Sequence, residues 1–179
     1  MEKDEKRSEA YMEEKYSEEW LEFVHKREEY EKASFDYNNV NKNKRRQDLR
    51  KILEESNLLE QLSVLKMMGE GYIYSNSIEL VLEEVVEIAI TGYEECIGWA
   101  GVALNHLNMK KWKNKIVQLV NFYTEKNLYD KTVFHYSWLL LYRLGFKQAL
   151  ISYIEKYKEY MEGELDEEDW QDIRNMVER

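Results

Sequence analysis

The chain has no proline and only seven glycines in 179 residues. Proline breaks helix interiors, and glycine weakens them by roughly 1 kcal/mol relative to alanine. A chain this poor in both can be helical almost throughout. The single cysteine excludes an internal disulfide. No run of 18 apolar residues is present, so no ordinary membrane-spanning helix is expected. The charged start "MEKDEKRSEAY" lacks the apolar stretch of a secretory signal, and a cytoplasmic location is the expectation. The two glycines of "MGEGYI" (68–73) lack the Gly-Lys-Ser/Thr ending of a phosphate loop, and no Gly-x-Ser-x-Gly elbow exists.

What the sequence does hold is charge. Charged residues make up 35% of the chain and the net charge is −10, unevenly spread. Residues 58–109 carry −7 and residues 161–179 carry −6, while residues 110–160 carry +6. An acidic chain repels phosphate, so nucleic acid is an unlikely partner class.

Apolar spacing predicts an all-α protein. A long amphipathic helix is expected within residues 1–35, with Tyr16, Trp20, Phe23 and Val24 on one stripe. The turn-forming run "SFDYNNVNKNK" (34–44) reads as a loop. Helices then follow over about 44–55 and 57–68, the second ended by Gly69 and Gly71. Ile78, Leu82, Val85, Val86 and Ala89 form the stripe of the next. Asn76 with Glu79, and Thr91 with Glu94, have the spacing of capping pairs. Ile116, Leu119, Val120 and Tyr123 mark another helix. Asp130 can cap one that Gly145 stops, and Asp166 can cap the last.

The stretch from Cys96 to Met109 contains no charged residue. Shifted by 37 positions it aligns with a second such stretch. Cys96 falls on Val133, Trp99 on Tyr136, Val102 on Leu139 and Leu104 on Leu141. A shift of 38 brings Ile78, Leu82 and Val85 onto Ile116, Val120 and Tyr123. Two consecutive units thus share one layout: an amphipathic helix, a turn, a nearly uncharged helix, a turn. Over 44–177 this pattern resembles HEAT and armadillo helical-repeat proteins. The resemblance implies a short solenoid of antiparallel helix pairs. It implies further that the uncharged helices, apolar all round, are inner members lining a concave surface that holds a partner. Residues 1–179 are read as one domain, with Gly98, Ala100, Gly101 and Ala103 letting neighbouring backbones approach and Trp99 in the core.

Catalytic chemistry finds no footing in the residues. Cys96 and His106 stand ten positions apart on one expected helix, roughly 15 Å, beyond hydrogen-bond reach. Glu22 and His25 have the Glu-x-x-His spacing of di-iron bundles, but no second pair exists. No enzyme, cofactor or metal is expected.

The acidic residues Glu79, Glu83 and Glu87 recur every fourth position, and no lysine or arginine lies between Glu70 and Glu95. Like charges so spaced destabilise a helix by roughly 0.2–0.5 kcal/mol per pair. Two readings follow: a solvated face relieved by lysines of the next unit, or a face for a basic partner. With His135, Tyr136 and Tyr142, these acids are the candidate partner-binding residues. Small acidic helical-repeat proteins also resemble immunity proteins of bacterial toxin systems, which implies an inhibitor of a basic toxin or nuclease. The alternative is a nucleic-acid or regulatory adaptor using the basic segments 41–51 and 109–115.

Overall fold

The structure, a computed structural model, describes residues 16–178. Its contacts divide the chain into two compact units, residues 1–40 and 41–179. The part of the expected first helix before residue 16 lies outside the described residues. No helix among the described residues is long and apolar enough to cross a membrane.

In the first unit, α1 spans Glu18–Asn38. The Ser17 hydroxyl accepts from the Trp20 amide at 3.3 Å, and Glu18 and Glu19 in the first turn suit the helix dipole. Ion pairs one turn apart, Lys26–Glu22 and Arg27–Glu31, run along its surface. Trp20 and Phe23 are exposed, their ring centroids 5.7 Å apart. The expected loop from residue 34 is a correction. The helix continues to Asn38, and the side-chain Nδ2 groups of Asn38 and Asn39 donate back to the carbonyls of Ser34 and Phe35, each at 2.8 Å. Turn-forming side chains here finish the helix.

The second unit is a succession of helices: α2 (Lys42–Glu55), α3 (Leu58–Gly69), α4 (Ser75–Ile78), α5 (Leu82–Thr91), α6 (Glu94–Leu104), α7 (Met109–Lys126), α8 (Lys131–Arg143), α9 (Lys147–Met161) and α10 (Glu167–Glu178). A single 3-10 turn, Glu79–Val81, joins α4 to α5. Helices α2 and α3 pack together, as do α5 and α6, α7 and α8, and α9 and α10. Across these pairs, α3 packs on α6, α5 packs on α7 and α8, and α8 packs on α9.

The helix ends explain the turns. Past α3, Gly71 takes φ +84°, and the Tyr72 amide donates to the Met67 carbonyl at 2.9 Å. Past α8, Gly145 takes φ +69°, and the Phe146 amide donates to the Leu141 carbonyl at 2.9 Å. These are the same glycine-terminated ending, and left-handed φ is what glycine permits. Asp130 caps α8 as expected, accepting from Thr132 and Val133. Asp166 and Asp169 cap α10 reciprocally.

The stripe residues Ile78, Val85, Val86, Ile116 and Val120 are fully buried. Where α8, α9 and α10 meet, the Phe134 ring stacks on Tyr153 at 5.6 Å and meets Trp170 edge-on at 6.3 Å. Beside it lies a buried hydroxyl cluster. Thr124 donates to the Val120 carbonyl and sits 3.1 Å from Ser137 Oγ and 3.0 Å from the Tyr153 hydroxyl.

Candidate partner-binding surfaces

Helix α5 places Glu83 and Glu87 on one exposed face, with Glu79 in the turn before it, and α7 answers them. Lys111 Nζ donates to Glu79 Oε2 and Trp112 Nε1 to Glu79 Oε1, both at 2.8 Å. Lys115 Nζ lies 2.8 Å from Glu83, and the Tyr123 hydroxyl donates to Glu87 at 3.1 Å. From the other side, Arg50 of α2 pairs with the buried Glu84. Each offset is 32 to 36 residues, about one helix pair. The acidic face is therefore engaged within the chain, as the reading with lysines of the next unit expects.

Titration follows from these contacts. Burial alone would raise the Glu79 carboxyl. The hydrogen bonds from Lys111 and Trp112, with the Lys111 and Lys42 charges, outweigh it and hold the group below its ordinary value. Hydrogen bonding and charge from Lys115 lower Glu83 likewise. A carboxyl lowered in the folded state stabilises above its unfolded pKa, about 4.3, and that contribution fades as pH falls through the folded value. The pairs are partly exposed, so each is worth roughly 0.2–1 kcal/mol. Thermal midpoints measured from pH 6 to pH 3 should fall, and Glu79→Gln should make that slope shallower. An unchanged slope in the variant would show that Glu79 carries none of it.

Two expected capping pairs are corrected by the same geometry. Neither Asn76 nor Thr91 caps a helix, since Tyr74 and Tyr93 stand at those N-caps without a side-chain bond. Asn76 Oδ1 instead accepts from Arg45 at 3.3 Å, Glu79 turns to α7, and Thr91 bonds back to the Glu87 carbonyl. Arg45 itself is buried against Ser77. Of the basic segments 41–51 and 109–115, Arg45, Arg50, Lys111 and Lys115 are thus committed to partners in the chain.

On α8, His135 and Tyr136 stand edge-to-face at 5.3 Å, and His135 does the same with the buried Trp138 at 5.1 Å. Burial lowers the His135 pKa and Arg143 acts in the same sense, against the pull of Asp169. Tyr142 is exposed and Tyr136 half-buried. These three belong to α8, whereas Glu83 and Glu87 belong to α5 and Glu79 to the turn before it.

A further open surface lies on α6, one of the uncharged helices expected to line a binding surface, with charged residues that were not singled out in the sequence as binding residues. Cys96, Ala100, Ala103 and Leu104 are fully buried, but Trp99 is half-buried and Val102 is 42% exposed. The expectation that this helix is inward all round is therefore corrected. It has one open side, and over it lies a depression of about 730 Å³ lined by Glu94, Glu95, Gly98, Trp99, Val102 and Asn105, with Lys66 of α3 and Arg143 of α8 on its flanks. The glycines are also corrected. A Cβ on Gly98 would meet nothing within 4 Å, and one on Gly101 only Leu140 at 4.0 Å. The close approach is instead at Gly69, where a Cβ would lie 2.8 Å from the Trp99 ring. His106 Nε2, 2.8 Å from the Gly69 carbonyl, ties the same two helices together. The glycines were the available signal: glycine inside a helix costs roughly 0.5–1 kcal/mol relative to alanine, and neither Gly98 nor Gly101 answers that cost with a close packing contact.

Chemistry at Cys96 is disfavoured by its setting. The thiol is buried, and burial together with Glu95 raises its pKa, which suppresses the reactive thiolate. Among the described residues no group of three His, Cys, Asp or Glu side chains could hold a metal. His25 is exposed and faces Glu29 at 3.4 Å.

No family model, curated protein or solved structure matches this chain.

Proposed function

We propose that the protein is a non-catalytic binding module of HEAT-like helix pairs that holds another protein on the open side of α6. One observation carries the reading. On the acidic face Glu79, Glu83 and Glu84 are ion-paired within the chain and Glu87 is hydrogen-bonded by Tyr123, whereas at the α6 depression, among the described residues, Lys66, Glu94, Glu95 and Arg143 make no ion pair. Unspent charge around a half-buried tryptophan suits a partner surface. The recurrence of cross-helix contacts at offsets of 31 to 37 residues supports the repeat reading. The net charge of −10 and the exposed acids of residues 162–172 favour a basic partner, and an immunity-type inhibitor of a toxin or nuclease fits that balance.

Nucleic-acid binding is the weaker reading, because Arg45, Arg50, Lys111 and Lys115 of segments 41–51 and 109–115 are engaged by Glu79, Glu83, Glu84, Asn76 and Ser77. The protein should pass through heparin at moderate salt.

The deciding experiment places a photo-crosslinking amino acid at Val102 and, separately, at exposed Asn114 on α7 in living cells. A discrete protein adduct from position 102 and none from 114 is expected. Adducts from 114 alone, or from neither position, would remove the α6 face as the binding surface.

A further inference from the structure

Arg45 closes the first turn of α2 and is only 7% exposed. A guanidinium does not shed its proton, so this is a permanent charge taken out of water. Buried charges are ordinarily paired with opposite ones, because the attraction offsets the lost hydration. Among the described residues no carboxylate pairs with Arg45, not even Asp48, one turn further along α2. Its polar partners are neutral. Nη1 donates to Asn76 Oδ1 and to Ser77 Oγ, both on α4.

The other two nitrogens are unspent. Nε is closed off from solvent and bonds to nothing. Nη2 also bonds no group in the chain but is not closed off, so it is the nitrogen left at the surface opening. Asn76 beside it is exposed, and its Nδ2 donates to no group in the chain. The surroundings are positive. The first turn of α2 holds Lys42 and Lys44 and no acidic residue, and a helix N-terminus itself favours negative charge. An orphaned polar atom in a buried site calls for an explanation, and an ion is one. So small an opening admits a few atoms, not a length of nucleic-acid backbone.

We infer that Arg45 is the binding site of one small oxyanion. A phosphate or carboxylate oxygen accepts from Nη2, and Asn76 Nδ2, carried by the amide that holds Nη1, is the neighbouring donor. Water can accept from Nη2 but cannot answer its charge, whereas an anion does both. Such charge-assisted hydrogen bonds are roughly twice as strong as neutral ones. Because Arg45 already joins α2 to α4, occupancy stabilises that joint.

The test is the thermal midpoint of the full chain at constant pH and ionic strength, with chloride exchanged for inorganic phosphate or for acetate. Phosphate stabilises most folded chains by exclusion from their surface, and Arg45→Met measures that part. The variant should fold, because it exchanges an uncompensated buried charge for an apolar side chain of similar length. Circular dichroism checks this. The parent should gain on Arg45→Met by roughly 5 °C or more once the anion stands about a hundredfold above its dissociation constant. A larger gain in phosphate than in acetate marks a phosphate ligand, and the reverse marks a carboxylate. Equal slopes for parent and variant in both salts reduce the effect to general salt action and overturn the inference. Should Arg45→Met fail to fold, the parent decides alone. The ¹⁵N signals of the Arg45 guanidinium should then shift saturably with added phosphate or acetate, and signals that do not move overturn the inference.

Discussion

Phe134→Ala should lower the unfolding free energy by about 3–5 kcal/mol, visible as a large drop in the urea midpoint. The ring is 1% exposed and is the meeting point of three helices. It stacks on Tyr153 and receives the edge of Trp170, so its loss removes transfer free energy, leaves a cavity and breaks two aromatic contacts. Against a usual total of 5–15 kcal/mol, that is a large share. A spatial signature should accompany it. Trp170 is half-buried on α10, which otherwise rests on α9 across an open apolar depression of about 490 Å³ that includes Ile151, Ile154 and Ile173. Early proteolysis between residues 162 and 178 is therefore expected before the rest of the chain yields. A variant with an unshifted midpoint would mean that Phe134 is not central to the core.

Thr124→Val should cost about 1–3 kcal/mol although it changes shape hardly at all. The valine removes the Thr124 oxygen that both the Ser137 and Tyr153 hydroxyls approach in a buried site. Burying a polar group without a hydrogen bond is expensive, whereas removing all members of such a cluster is close to neutral. The triple variant Thr124→Val, Ser137→Ala, Tyr153→Phe should thus recover much of the loss. The hydroxyl of Tyr153 provides a second readout. Burial raises its pKa well above the ordinary tyrosine range, against hydrogen bonds from Ser137 and Thr124 that pull it down. Equal stability of the single and triple variants, both well below the parent, would show that packing and not hydrogen bonding governs this site.

The helical character was legible because it rests on local rules. Absent proline, apolar stripes at helical spacing, Asp130 as a cap and glycines at 71 and 145 all act within a few residues. Failures came where a side chain had a better partner far along the chain. Asn76 and Glu79 have capping spacing, yet Arg45 and Lys111, more than thirty positions away in each case, hold them instead. The acids at 79, 83 and 87 looked unneutralised for the same reason. Helix α6 shows the other limit. Its composition reads as apolar all round, and only the packing of α3 and α8 reveals which side they leave open. Trp99 sits on that side, so its truncation should cost less than the roughly 3–5 kcal/mol of a fully buried tryptophan.

Cross-helix hydrogen bonds within residues 41–178 recur between positions 31 to 37 apart. Chains whose contacts stay close in sequence reach the native state quickly, because no long loop must close before its contacts repay the entropy lost. This part of the molecule can assemble progressively as it leaves the ribosome, each helix pair docking on the one already made.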